Sequence, residues 1–440
     1  MHKVQGPSIW KVIKDYKEIR KDPLAYGLKL NAKYGSFIEF KIARYHVLAL
    51  NHPDFHEYVL KTNYLNFIKG KAYEKMEPLI GRGLLIAPHE FWRQNRTIVN
   101  PAFRVKKLES YFQEIVSSTD ELFKNYRDEH VYDIHQDMMQ LTLSIISKVL
   151  FHMDLSGRSE RVSKAIHDYM TGMENQIFHI FGFQKHIPTK SNRNFKQAVK
   201  YLNTIIFDLI AKRRQDYHER EDMISLLIKA QMQNKAKGIT DEYLRDELMT
   251  FMVGGHETTA NALTWTLYHL GRNPEVYQKL REEIDLKIKS KIPSFEELDQ
   301  IPYLENVINE SLRLSPPVWI TSREIKEDDE FQGVKMKKGM IAIVAAYFLH
   351  HNKDYWEDPH SFKPDRFNQD YNKKAFVPFG VGPRSCIGEF LARVELRTIL
   401  IMLFKHFDFE LDQSKPTEPL ATITLRPKGG LFVKLRKRNE

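Results

Sequence analysis

The chain has 440 residues, 42% of them hydrophobic and 28% charged, which is enough to bury a sizeable core, and its 67 Lys and Arg outnumber 57 Asp and Glu for a formal charge of +10. The basic excess favours acidic partners, yet it is dispersed, and only the short tail KLRKRNE is strongly basic, which disfavours a nucleic-acid module. Cys386 is the sole cysteine, so an intrachain disulfide and a cysteine-rich zinc site are both excluded.

In chain order, the first ~30 residues read as polar helix. The N-terminus has no signal-peptide core, and no later run approaches the ~20 uncharged apolar residues of a spanning helix, so a cytoplasmic protein is expected. GSFIEFKI alternates, with Ile38, Phe40 and Ile42 on one face, and RYHVLALNHPD follows as its hairpin partner. From about residue 53 to about 310 most segments carry helical spacing, broken by Pro and Gly. IFGFQKHIPTKSNRNF, residues 180–195, is the least regular stretch and reads as a loop or a lid. Strand character returns in GVKMKKGMIAIVAAYFL, ATITLRP and GLFVKLRK. The fold class is therefore mainly α with a small β portion. Strands from both chain ends are expected to share sheets, making residues 1–440 a single interleaved domain.

Four constellations carry chemistry. In HEFWRQNR, Trp92 and Arg96 are four apart on one helix face, and an arginine fork suits carboxylates. Residues 244–274 form a long helical pattern, stopped at Gly271-Arg272-Asn273-Pro274, with Gly254-Gly255 at mid-helix. Each glycine there disfavours helix by about 1 kcal/mol relative to alanine, so close packing or a break in the hydrogen-bond ladder is expected to offset it. Glu257, Thr258 and Thr259 follow, and an acid beside a hydroxyl can relay protons. Glu310 and Arg313 are helix neighbours, and Arg366 stands downstream in KPDRF. Finally, FVPFGVGPRSCIGEF surrounds Cys386 with Gly380, Gly382 and Gly388, just before a helix N-terminus. Tight turns let N–H donors converge on a sulfur, and the helix end favours an anion. The residues alone leave open whether this thiol is a ligand or a buried bystander.

Phe379, Gly382, Arg384, Cys386 and Gly388 fit F-x-x-G-x-R-x-C-x-G. This resembles the haem-binding loop of the cytochrome P450 family, and G-G-x-E-T, E-x-x-R, P-D-R-F and W-x-x-x-R fall in the family's order. The resemblance implies the cytochrome P450 fold, with haem b held between the long central helix and the cysteine loop. Cys386 would be the axial ligand, a thiolate that favours O–O cleavage. Phe379 would pack beside it. Trp92, Arg96, Arg323 and Arg384 would hold the propionates, and Gly254 and Gly255 would line the haem. Glu257 and Thr258 would supply protons during dioxygen activation, and Glu310, Arg313 and Arg366 would form a structural triad.

The same resemblance places the substrate pocket at Phe251, Met252, Val318, Trp319, Ile320 and Thr422. The implied reaction is O2-dependent insertion of one oxygen atom into a C–H bond of a largely apolar substrate, such as a fatty acid or terpenoid. Alternatives are O-demethylation of a methyl ether such as a methylated sugar, a peroxide-driven enzyme, and, furthest off, a non-catalytic haem binder. No flavin or iron–sulfur module is recognisable, so electrons would come from a separate ferredoxin or flavodoxin with its reductase. Lys106, Lys107, Arg393, Arg397 and Lys405 suggest a basic docking face for it. His256 projects away from Glu257 and is not expected to ligate. Glu247 stands where part of the family bonds a glutamate to haem, but reads as a solvated helix charge.

Overall fold

The computed structural model describes residues 5–42, 45–74, 76–154, 158–178, 187, 189–218, 220–233 and 238–438. Helices dominate, and the longest, Asp241–Arg272, runs through the core. Its 32 residues span about 48 Å at 1.5 Å each. The local chemistry agrees with that length. The Thr240 side chain caps the start by accepting from Tyr243 N–H, Asp241 and Glu242 occupy the first turn, and Arg272 the last. The helix continues through Gly254-Gly255 without interruption. Of the two expected compensations for the glycines, close packing is the one used. A Cβ on Gly255 would come within 2.7 Å of Ile146 Cδ1 on the helix Ile134–Phe151. Thr142 of that helix also donates to the His256 carbonyl at 3.0 Å.

Both chain ends build the main sheet. Strands Phe37–Ile42 and Tyr45–Leu50 form the expected hairpin. The second pairs in parallel with Ile341–Val344, which pairs antiparallel with Thr321–Ile325, and Phe67–Ile68 closes the far edge. Ile38 is buried at 2% exposure, whereas Ile42, expected on the same inward face, is 37% exposed at the strand's end. After Val344 the apolar run turns helical, over Ala346–His350. Within the irregular stretch 180–195, residues 180–186 and 188 lie outside the described residues. Residues 190–195 open the helix Lys190–Asp216, with Thr189 as its cap. Among the described residues, no helix is long and apolar enough to cross a membrane.

Glu310 and Arg313 lie on Pro302–Leu314 and are completely buried. Arg313 Nε donates to Glu310 Oε2 at 2.7 Å and Nη2 to Oε1 at 2.8 Å. Arg366 Nε adds a third bond to Oε1 at 3.0 Å, and the Lys363 N–H a fourth at 2.9 Å. The remaining Arg313 donors reach the carbonyls of His350, Pro359 and Ser361. A buried pair is stable only with its remaining hydrogen bonds made, and here they fasten three chain segments together.

Removing one partner should strand the other charge. Arg313→Ala is expected to lose about 3–5 kcal/mol of stability, and Arg313→Lys a substantial part of that because an ammonium cannot reproduce the fork. Urea unfolding measures both. An Arg313→Ala protein within 1 kcal/mol of wild type would contradict the structural role of the triad.

Candidate functional site

The cysteine loop is closed by its own backbone. Cys386 N–H donates to the Phe379 carbonyl at 2.9 Å, Ser385 N–H to Gly382 at 3.0 Å, and Gly380 N–H to Val377 at 3.0 Å. Gly380 and Gly382 adopt φ of 70° and 78°, the left-handed region that favours glycine. At Gly382 there is also no room, since a Cβ would lie 2.1 Å from the Leu60 carbonyl oxygen. Cys386 retains exposed surface although protein surrounds its sulfur on most sides. The surrounding protein pushes the thiol up, while the Gly388 N–H and the Arg96 guanidinium pull it down. Phe379 packs next to the loop under the Arg393 guanidinium, 4.9 Å from its ring.

A set of cations converges beside this loop. Arg96, on the helix His89–Val99, donates to the Ser385 carbonyl at 2.9 Å. Arg384 lies 4.6 Å over the Trp92 ring and donates to the Ala87 carbonyl at 2.7 Å, but its Nη1 is buried with no partner. Burial, with repulsion from Arg323 and Arg96, brings the Arg384 guanidinium down to about 10. Arg323 is 7% exposed, donates within its own strand to Ser322 O at 2.7 Å and Thr321 Oγ1 at 3.1 Å, and also interacts with the Tyr73 hydroxyl.

Two further members were not foreseen from sequence, Lys69 and Tyr73. The Lys69 ammonium sits 4.0 Å over the Tyr73 ring, and burial plus the nearby Arg323 and Arg384 push it down to about 7. Burial opposes ionisation of Tyr73, yet Lys69 and Arg323 pull its hydroxyl down to about 7. That hydroxyl shares a 2.8 Å hydrogen bond with Thr321 Oγ1. Among the described residues, no carboxylate pairs with Lys69, Arg96, Arg323 or Arg384.

On the central helix, Gly254 is exposed and a Cβ there would meet nothing within 4 Å. Gly255, expected to share that open face, is instead turned against Ile146. Thr258 donates to the Gly254 carbonyl at 2.5 Å. Glu257 is 2% exposed and accepts from Thr424 Oγ1 at 2.6 Å, its other oxygen is buried without a partner, and burial raises its pKa. His256 is completely buried and burial lowers it to about 4, so it is neutral. Glu247 is a correction. It is completely buried rather than solvated, accepting from Leu84 N–H at 3.1 Å and from the Tyr243 hydroxyl. Both oxygens are occupied by protein donors, and burial raises its pKa to about 8.

The six pocket residues do not form one lining. Trp319 is 6% exposed in a cluster with Leu24, Trp265 and Phe348, and its indole donates to the Thr422 carbonyl at 2.9 Å. The Thr422 hydroxyl donates to Glu174 at 2.7 Å. Met252 is in the main core, and Phe251 stacks on Phe103, whose ring lies beside Gly388. Val318 and Ile320 retain exposed surface. The basic docking face is also altered. Lys107 pairs with Glu221, Arg393 with Glu305 and Glu389, Arg397 with Asp299, and Lys405 with Asp285. Four of its five cations are thus neutralised within the chain.

An accessible thiol flanked by cations without carboxylate partners among the described residues suits positive charge over its sulfur and carboxylates beside the cations. An iron porphyrin with two propionates meets both demands, and the open face at Gly254 leaves it a wall without side chains. These residues therefore fit haem, and the class they define is a haem-thiolate oxygenase. The family model described as Cytochrome P450 matches residues 4–434, and the chain belongs to the cytochrome P450 family. It is 30% identical over 383 residues to the cyclooctat-9-en-7-ol 5-monooxygenase of Streptomyces melanosporofaciens, covering 86% of this chain and 83% of that one. It is 27% identical over 414 residues to the pentalenene oxygenase of Streptomyces avermitilis, covering 93% and 91%. To cytochrome P450 4V2 of Homo sapiens it is 30% identical over 415 residues, covering 87% and 78%. The chain is accordingly a monooxygenase.

Two measurements check this geometry. Gly380→Ala meets open space and should lose about 1 kcal/mol through strain alone. Gly382→Ala must also displace the Leu60 carbonyl, so it should lose more stability and retain less haem. Equal melting points for the two variants would contradict the contact. For Glu247, the folded protein holds a proton that the unfolded chain releases above about 4.5. Its contribution is therefore present at low pH and lost as pH rises through about 8. Glu247→Gln should gain on wild type between pH 5 and 8.5, by up to about 4 kcal/mol, in urea midpoints taken across that range. A difference that does not change with pH would refute the buried acid.

Proposed function

We propose that the chain uses haem b to hydroxylate a compact, largely apolar terpenoid, with electrons from a separate ferredoxin or flavodoxin. The carrying observation is the exposed Cys386 thiol beside Arg96, Arg323, Arg384 and Lys69. The substrate class is supported by the two bacterial relatives, whose names describe oxidation of cyclooctat-9-en-7-ol and of pentalenene. On this reading the 440 residues act as one interleaved domain.

Bound haem would supply the oxidising chemistry, in which O2, two electrons and two protons yield one oxygen atom in the substrate and one water. The chain's own residues do the rest. The Cys386 thiolate would ligate the iron, with its backbone held by the Phe379 carbonyl and its sulfur by the Gly388 N–H. Arg384 Nη1, Arg323 and Lys69 would be donors for the propionate oxygens, with Arg96 nearby. Burial raises the pKa of Glu257 inside the core, favouring its protonated form, and the Thr258 hydroxyl stands one residue along the same helix.

The reduced, carbon-monoxide-bound protein should show a red-shifted thiolate-type Soret band that Cys386→Ala lacks. Its absence from wild type would end the proposal. Glu257→Gln should keep that band while lowering product formation on the order of 100-fold. For substrate, cyclic terpene alcohols should shift the ferric spectrum at lower concentrations than fatty acids of equal carbon number. The reverse order would reassign the substrate class.

A further inference from the structure

Three elements from distant parts of the chain meet at the Glu257 carboxyl. Thr424 donates to Oε1 at 2.6 Å, and Asn261 Nδ2, 3.4 Å away, donates to Thr424 Oγ1. That order of donors points the Thr424 hydroxyl hydrogen at Glu257. Arg426, two residues on, has Nη1 3.6 Å from the same Oε1, beyond a good hydrogen bond. Its Nη2 instead donates to Glu174 Oε2 at 2.9 Å. Glu174, on the helix Ser159–Phe178, is 7% exposed and also receives the Thr422 hydroxyl at 2.7 Å. Glu257 Oε2 is buried with no partner at all.

One guanidinium thus stands between two buried carboxylates and is bonded to only one. We propose that Glu174, Arg426 and Thr424 are positioning residues for the proton relay. Glu174 engages Arg426 so that Glu257 keeps its proton on Oε2, while Thr424 fixes which oxygen carries it. An acid that accepts at Oε1 and has a bare Oε2 can present O–H only from Oε2. A carboxylate fully paired with Arg426 would have no proton to give. A further titratable neighbour is His135, which reaches this group through Asn261 at 3.1 Å and whose pKa burial lowers. Charge at the site is therefore settled between Glu174, Arg426 and Glu257. This inference rests on the oxygenase reading for its purpose, but not for its geometry.

Infrared difference spectra of the ferric holoprotein test it, because Glu257 is identified by the protonated-carboxyl band that disappears in Glu257→Gln. Glu174→Gln releases Arg426, and the band should vanish as Glu257 ionises. Adding Arg426→Gln to Glu174→Gln should restore the band. Thr424→Val should keep it but move it to higher frequency, through loss of the donor on Oε1. With substrate, Glu174→Gln should release more peroxide per electron pair consumed, and the double variant less. A purely structural role would move none of these in opposite directions. A band unchanged in Glu174→Gln, or no Glu257 band in wild type, overturns the inference. The carbon-monoxide spectrum of each variant separates the two ideas. If the thiolate-type band is missing from wild type, the oxygenase reading fails. If it is intact while the infrared band ignores Glu174, only this inference fails.

Discussion

The fixed point of the molecule is the guanidinium of Arg313, buried where no water can reach it. A cation in that position is tolerable only if every donor is used, and the structure uses them on Glu310 and on three carbonyls from 350–361. The Arg313 carbonyl then contacts His350 Nδ1 at 3.1 Å, and the Val377 N–H donates to His350 Nε2 at 3.0 Å. An acceptor at Nε2 requires the proton on Nδ1, and burial with the nearby Arg313 charge keeps this imidazole neutral. Val377 opens the cysteine loop, so the sulfur's position descends from the ion pair through one histidine tautomer.

Around that scaffold the interior is electrically divided. Cations gather at Lys69, Arg96, Arg323 and Arg384, while Glu247, Glu257 and Glu395 are buried acids whose pKa values burial raises. The cation side is therefore net positive without a ligand, and ligand carboxylates would be drawn to it. Arg426, the guanidinium nearest Glu257, stands 3.6 Å from it and is hydrogen-bonded to Glu174 instead.

Legibility followed sequence distance. Glu310 with Arg313, and Trp92 with Arg96, are three or four apart, and helix geometry alone converts that spacing into a shared face. The strands near 40 and near 342 were readable from alternation and share a sheet as expected. Lys69 and Tyr73 gave no signal, because KGKAYEK has no pattern and their neighbours Arg323 and Thr321 come from a distant strand. Glu247 misled for a related reason. It looks like an ordinary helix charge until the Leu84 N–H arrives from another segment. The basic face dissolved because its neutralising acids, from Glu221 to Glu305, could not be assigned to it from sequence. Trp319 illustrates a last limit, since an apolar residue after Pro316-Pro317 suits a pocket wall and a core equally well.

The contact between Gly382 and the Leu60 carbonyl has a consequence for biogenesis. Its two sides lie near opposite ends of the chain, so the cysteine loop cannot seat until most of the protein has left the ribosome. Loops closed over such separations form slowly. Throughout that interval the thiol is uncovered in a partly assembled chain. With several cysteines, the wait would invite wrong disulfides. With one, there is no internal partner to pair with, so no wrong intrachain disulfide can trap the loop before it seats.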